Sequence, residues 1–253
     1  MSFDVAAASY DRFMGRYSTL LSPQMADLAG VVAGQRVIDV GCGPGALTAE
    51  VVDRVGAVNV AAVDPSAPFV EAARLRQPGV DVRLASAEAL PFPSDSFDVA
   101  IAQLVVHFMA DPVAGIREMA RVTKRGGVVA ACVWDHAGYR GPLRDFWAAA
   151  RTVVPDVDDE SALPGTREGH LEELFEAAGL RAIDSTALVV KLRLASFDAW
   201  WEPFTRGVGP AGAFVRRLDP DARAALEEAC RRRLPAEGPF SLDGAAWAAR
   251  GVA

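Results

Sequence analysis

Histidine and cysteine are scarce in this chain, three of each among 253 residues, and that scarcity narrows its chemistry. Cys42, Cys132 and Cys230 are far apart and form no Cys-x-x-Cys pair, which fits buried reduced thiols rather than a disulfide framework or a zinc site. So few histidines also argue against a His-rich metal centre, and no metal ligand set is expected. Basic charge is in deficit: 26 Lys and Arg face 33 Asp and Glu, a formal net charge of −7, so there is no field to attract nucleic acid. Arg231-Arg232-Arg233 is the one dense basic run and reads as a solvated helix turn. No uncharged apolar run reaches the roughly 18 residues that a membrane span needs. Met1-Ser2-Phe3-Asp4 lacks the basic start and apolar stretch of a signal peptide, so the expected location is the cytoplasm. A chain of this length buries its own core without disulfide or metal staples.

What is present is a rhythm of short apolar strands and amphipathic helices. Strands are predicted at 36–40, 58–63, 80–84, 97–102 and 128–133, with helices at 46–54, 66–76 and 112–122. That alternation implies a parallel sheet covered on both faces by right-handed crossovers, a doubly wound α/β core. Residues 1–35 read as a helical N-terminal lid, in which Ser22-Pro23 looks like an N-cap followed by a first-turn proline. Residues 36–134 form the Rossmann-like core, and 135–253 complete the same domain. This last part carries insertions at about 135–165 and 196–234, a strand at 181–194, and a final strand at 240–250 that pairs antiparallel with it. Helices are predicted in it at 143–153, 168–178, 196–215 and 220–234.

The most informative segment is Val37-Ile38-Asp39-Val40-Gly41-Cys42-Gly43-Pro44-Gly45. A strand ends at Val40, the glycines let the backbone turn close to a ligand, and the helix from Ala46 offers its free N–H groups there. Gly41, Gly43 and Ala46 also satisfy the dinucleotide pattern G-x-G-x-x-G/A, so the glycines alone do not decide the ligand. Two neighbours do. Pro44 deletes a donor that a pyrophosphate would use, and Asp39 sets a carboxylate where that anion would lie. The same carboxylate suits a sulfonium ligand that carries an ammonium, which favours S-adenosylmethionine over a nicotinamide. Asp64, 21 residues after Gly43, closes the next strand and is placed to accept from two ribose hydroxyls. The third strand runs into Ser86-Ala87, which bring a side chain and a backbone group to an adenine edge.

Together with Leu90-Pro91-Phe92, Ser96-Phe97-Asp98 and Arg121-Val122 through Gly126-Gly127, these residues resemble a class I S-adenosylmethionine-dependent methyltransferase. The branch they resemble is the small-molecule one that includes the ubiquinone and menaquinone C-methyltransferases. The resemblance covers about residues 10–135 and implies a seven-stranded sheet whose last strand is antiparallel, with a helical insertion before that strand. It implies S-adenosyl-L-methionine as cofactor and S-adenosyl-L-homocysteine as product. By position it puts Gly41 and Gly43 under the methionine moiety, Asp64 on the ribose, and Gln103 along the cofactor near its methyl group. Ser86 stands where many members carry an acid, which weakens one expected adenine contact. Tyr10-Asp11-Arg12-Phe13-Met14-Gly15-Arg16-Tyr17 resembles the lid of this branch, with Tyr10 against the cofactor and Arg16 pairing its carboxylate.

Methyl transfer needs alignment and exclusion of water, and a base only where the acceptor must lose a proton. His107, after the fourth strand, is the candidate base, and a structural role hydrogen-bonded to a loop carbonyl is equally open. His136 is a second candidate, and His170 reads as a helix N-terminal residue. Trp134, Phe146, Trp147, Trp200, Trp201 and Phe204 read mostly as core, with one or two lining an acceptor pocket. The expected partner is therefore a small acceptor, apolar or aromatic, methylated at oxygen, carbon or nitrogen, with the protein a monomer or homodimer. A nicotinamide-dependent oxidoreductase and a non-catalytic methyltransferase-like binding protein are the competing readings. Nucleic-acid methylation is disfavoured by the acidic charge and by Gln103-Leu104-Val105-Val106, which stands where an Asn/Asp-Pro-Pro-Tyr/Phe motif would.

Overall fold

The computed structural model describes residues 7–235 and 237–253. Seven strands form one sheet: β1 Val37–Val40, β2 Val60–Asp64, β3 Asp81–Leu84, β4 Phe97–Gln103, β5 Thr123–Trp134, β6 Arg181–Leu194 and β7 Phe240–Val252. Their order is β3-β2-β1-β4-β5-β7-β6. The first five are mutually parallel, and β7 runs antiparallel to both β5 and β6. Every residue of β1 and β2 is buried, as expected of parallel strands covered on both faces. The chain leaves β1 toward β2 and later returns to β4 on the other side. The gap between the C-terminal ends of β1 and β4 is thus the switch point where doubly wound sheets take ligands.

The helices are α1 Ala7–Tyr10, α2 Arg16–Leu28, α3 Ala46–Val55, α4 Ala67–Arg76, α5 Pro112–Val122, α6 Arg144–Val153, α7 His170–Ala178, α8 Phe197–Trp201, α9 Gly209–Arg217 and α10 Pro220–Arg231. Local chemistry sets several starts. Asp111, Ser196 and Asp219 accept from the N–H three residues on, and proline occupies the first turn of α5 and α10. One face of the sheet is packed by Ile116 and Met119 of α5 and Phe175 of α7. The other is packed by Tyr17, Leu21 and Met25 of α2 and by Leu47 and Val51 of α3. A third cluster, built on α6 and α8–α10, stacks Phe146 on Phe204 with ring centres 4.5 Å apart.

Three local expectations are revised. Ser22-Pro23 does not start a helix: Pro23 lies inside α2, and Ser22 Oγ donates to the Ser18 carbonyl. An interior proline costs about 3 kcal/mol, whereas each fully buried Tyr, Leu or Met contributes roughly 1.5–3 kcal/mol, so the apolar face of α2 carries the helix through. The segment 196–215 is not one helix. Gly207, at φ +78°, ends the 3-10 turn Glu202–Arg206 and separates α8 from α9. The strand predicted at 128–133 starts earlier: β5 begins at Thr123 and so takes in Gly126-Gly127, and its pairing with β4 shifts between Phe97 and Val99. A Cβ on Gly127 would lie 2.6 Å from the Asp98 carbonyl oxygen, so only glycine permits that close approach.

Candidate functional site

The turn after β1 is tied to β2 at its base. The Gly41 and Cys42 N–H groups both donate to the Val63 carbonyl, at 2.8 and 2.9 Å. Gly41, at φ +75°, has no room for a side chain, since a Cβ would meet Val105 Cγ2 at 2.4 Å. Gly43, at φ +53°, is the opposite case: a Cβ there would project into open space. Gly41 thus serves close packing of the turn on the loop after β4, and Gly43 exposes backbone to the cleft.

Two buried carboxylates flank this turn. Asp64 ends β2 and accepts from Gly43 N through Oδ2 and from Ser66 N through Oδ1, both at 2.8 Å. Burial raises its pKa, and those two N–H donors restrain the rise. Asp39 is 1% exposed. Its Oδ2 accepts from Thr48 Oγ1 at 2.6 Å, while Oδ1 has no partner. Burial pushes its pKa up to about 7, against the Thr48 hydrogen bond and with a further push from Asp64. Gln103, at the end of β4, donates through Nε2 to the Ser18 carbonyl and to Ser22 Oγ, at 3.2 Å each, and leaves Oε1 without a partner.

The N-terminal segment closes over these groups. A π-helical turn, Asp11–Gly15, joins α1 to α2 and buries Phe13. Tyr10 packs edge-on against Phe69 of α4, ring centres 5.3 Å apart. Arg76, at the end of α4, donates to Asp11 at 2.5 Å and to the Pro44 carbonyl at 3.2 Å. Arg16 donates to the Phe13 and Ala199 carbonyls. The result is a cleft of about 350 Å³ lined by, among others, Tyr10, Arg16, Asp39, Gly41, Gly43 and Gln103.

Of the residues put forward from sequence, those six meet in the cleft. Asp64 lies beneath it, reaching it through the Gly43 N–H. Ser86 and Ala87 are not among the lining residues; they follow β3, whose continuation at Ala85 N donates to the Asp64 carbonyl at 3.1 Å. Thr48, which orients Asp39, went unnoticed in the sequence. Its signal is its place on the first turn of α3, on the side facing β1. Arg76 and Asp11 went unnoticed as well, since nothing local pairs residues 65 positions apart.

A second, smaller cavity of about 40 Å³ adjoins the first. Tyr10 lines both, and Phe13, Leu104, His107, Phe108, Trp134, His136 and Glu160 line the second. His107 sits in the 3-10 turn Val106–Phe108 and is 4% exposed. Burial, then His136, drives its pKa well below the usual imidazole value. Burial likewise pulls His136 down to about 4, opposed by Asp135. It pushes Glu160 up to about 7, opposed by the Trp147 Nε1–H donor at 3.1 Å. Glu160 carried no sequence signal. Trp134 is the member of the proposed aromatic set that reaches this cavity; Phe146, Trp147, Trp200, Trp201 and Phe204 pack in the third core cluster. His170 accepts from Gly165 N at 3.1 Å, a local loop contact.

A doubly wound sheet with a glycine turn and two buried carboxylates at its switch point defines a Rossmann-like cofactor-binding protein. Comparison with known proteins makes this specific. A family model described as "Methyltransferase domain" matches residues 38–131. Over 173 residues the chain is 33% identical to a malonyl-[acyl-carrier protein] O-methyltransferase of Salmonella typhimurium, covering 64% of this chain and 68% of that protein. Over 152 residues it is 33% identical to a demethylmenaquinone methyltransferase of Renibacterium salmoninarum, 60% of this chain and 63% of the relative, so it spans less than two thirds of that relative's length. A putative type II methyltransferase from Anaeromyxobacter dehalogenans superposes with a TM-score of 0.63 at 22% identity, over 92% of this chain and 95% of that one, which shows a common fold. The chain belongs to the class I S-adenosylmethionine-dependent methyltransferases.

Proposed function

We propose that this protein transfers the methyl group of S-adenosylmethionine to a small organic acceptor. The observation that carries the reading is the unpartnered Oδ1 of buried Asp39. A buried carboxylate oxygen without a donor is costly, and the ammonium of a methionine moiety supplies the missing donor and charge. Gln103 Oε1, also unpartnered and in the same cleft, offers a second acceptor. A pyrophosphate meets repulsion at Asp39, so a nicotinamide fits the cleft poorly.

In this reading Gly41 shapes the turn and Gly43 presents backbone to the cofactor, and Asp64 uses its remaining lone pairs for the ribose hydroxyls. Ser86 and Ala87, next along the sheet edge, meet the adenine. Tyr10 covers the cofactor, and Arg16 pairs its carboxylate with the guanidinium N–H groups that Phe13 and Ala199 leave free. The sulfonium supplies the leaving group; the protein aligns the acceptor and excludes water. The second cavity, about 40 Å³ and walled mostly by apolar side chains, receives the reacting end of the acceptor rather than the whole molecule, with Tyr10 at the boundary between donor and acceptor and His107 as an imidazole facing it. That lining supports an apolar or aromatic acceptor. Three free buried cysteines support a cytoplasmic protein, and we take it as a monomer or homodimer. No helix among the described residues is long and apolar enough to cross a membrane.

Calorimetric titration with S-adenosylhomocysteine tests the reading. Wild type is expected to bind, and Asp39→Asn to bind at least about tenfold more weakly, the range for losing a charged hydrogen bond. Equal affinity in the two proteins would remove the argument.

A further inference from the structure

We infer that His107, His136 and Glu160 form a site for a divalent transition metal at the floor of the second cavity, with an open coordination position for an oxygen of the acceptor. The three residues come from separate elements: the 3-10 turn after β4, the loop after β5, and the 3-10 turn Glu160–Ala162 of the first insertion. All three are buried, and one ligand atom from each lies within 4.8 Å of the other two.

The separations favour an ion over hydrogen bonds. His136 Nε2 and Glu160 Oε1 are 3.9 Å apart, beyond the roughly 2.7–3.2 Å of a hydrogen bond. Two ligands about 2.0–2.2 Å from one zinc-like ion stand about 3.3–3.6 Å apart at the tetrahedral angle, so this pair has to close by only a few tenths of an ångström to share one ion. His107 Nδ1 and His136 Nε2 have no hydrogen-bond partner, so buried lone pairs are left that a cation would satisfy. Glu160 is already oriented, because its Oε2 accepts from Trp147 Nε1 at 3.1 Å and Oε1 remains for the ion. Such an outer hydrogen bond is a regular companion of a ligating side chain. Neighbouring Asp135 is taken up by Gly138 N and Arg140.

Two imidazoles and one carboxylate suit zinc, cobalt, iron or manganese better than calcium or magnesium, which favour all-oxygen sites. Three protein ligands leave a position open, and it faces a cavity walled by Leu104, Phe108 and Trp134. The ligand class that fits both features is an apolar body carrying a hydroxyl, enol or carboxylate oxygen. Ligation occupies the His107 lone pair that a general base would use, so the two roles are exclusive. The acceptor part of this inference rests on the proposed function; the metal site does not.

The test uses the full chain, freed of any purification tag and stripped with a chelator, titrated with Co²⁺. Wild type is expected to develop visible d–d bands saturating at one equivalent, bleached by Zn²⁺. Glu160→Gln and His136→Gln, checked for folding by circular dichroism and for S-adenosylhomocysteine binding, should lose the bands and bind Zn²⁺ at least about a hundredfold more weakly. Acetohydroxamate, a bidentate oxygen ligand, should shift the wild-type bands. Absence of bands in wild type, or bands that survive in both variants, would overturn the site. Bands that ignore acetohydroxamate would overturn the open position. Cobalt bands without S-adenosylhomocysteine binding would refute the methyltransferase reading and leave the metal site standing; binding without bands would do the reverse.

Discussion

Asp39 concentrates the energetics of the site in one side chain. Its carboxyl is held at about 7 in the folded protein by burial, against an ordinary value near 4 in an unfolded chain. Between those values the folded state binds the extra proton, so the stability of the ligand-free protein falls as pH rises from about 4 to about 7, by an order of 4 kcal/mol if the whole difference is expressed. Binding has the opposite sense. The ammonium needs the ionised carboxylate, so S-adenosylhomocysteine affinity should rise with pH and level off above about 7, changing roughly tenfold per pH unit below it. Denaturant melts and calorimetry across that range check both slopes, and Asp39→Asn should flatten both. Gly41 makes a steric prediction at the same scale. Gly41→Ala combines a left-handed φ with a Cβ 2.4 Å from Val105 and should destabilise by about 1–3 kcal/mol. Adding Val105→Ala should recover the steric part but not the backbone part; if the double variant is no more stable than the single, the contact with Val105 is not the cause.

Among the elements, the N-terminal lid is fastened in two ways: α2 packs its apolar face on the sheet, whereas residues 7–15 ahead of it are held by a few side chains. The Arg76–Asp11 pair is nearly half exposed on both sides, so it is worth under about 1 kcal/mol. Arg76→Met should therefore leave the melting temperature almost unchanged yet raise amide hydrogen exchange in residues 7–15, where the lid meets α4. Unchanged exchange would mean that Tyr10 on Phe69 and Phe13 in its core suffice to hold it. The lid also shows where sequence stops being informative. Strand β1, its glycine turn and α3 could be read almost to the residue, because a short apolar run, positive-φ glycines and helical periodicity are local signals. The π-helical turn at Asp11–Gly15 and the passage of α2 through Pro23 were not legible, since tertiary burial accompanies both, Phe13 in the third core cluster and the face of α2 against the sheet. Glu160 is the extreme case. It is a carboxylate on an insertion whose neighbours at 107, 136 and 147 are set by tertiary packing alone.

At the scale of the whole molecule, the cleft touches parts that are distant in sequence: the lid, the C-terminal edges of β1 and β4, and the ends of α3 and α4. A ligand that fills it therefore binds the folded state and has nothing comparable to bind in the unfolded chain. At a hundred times its dissociation constant such a ligand adds about 2.7 kcal/mol to stability. For a chain of this size each kcal/mol moves the midpoint by about 2–4 °C, so S-adenosylhomocysteine should raise the melting temperature by roughly 5–10 °C. NADH at the same concentration should leave it in place, because Asp39 opposes a pyrophosphate at the turn. A shift with NADH and none with S-adenosylhomocysteine would turn the assignment round. The same melt on Asp39→Asn separates the whole-molecule effect from a local one: if the added stability comes from the ammonium contact, a roughly tenfold loss of affinity removes about half of the shift, and a larger loss removes more, while the ligand-free protein still unfolds cooperatively.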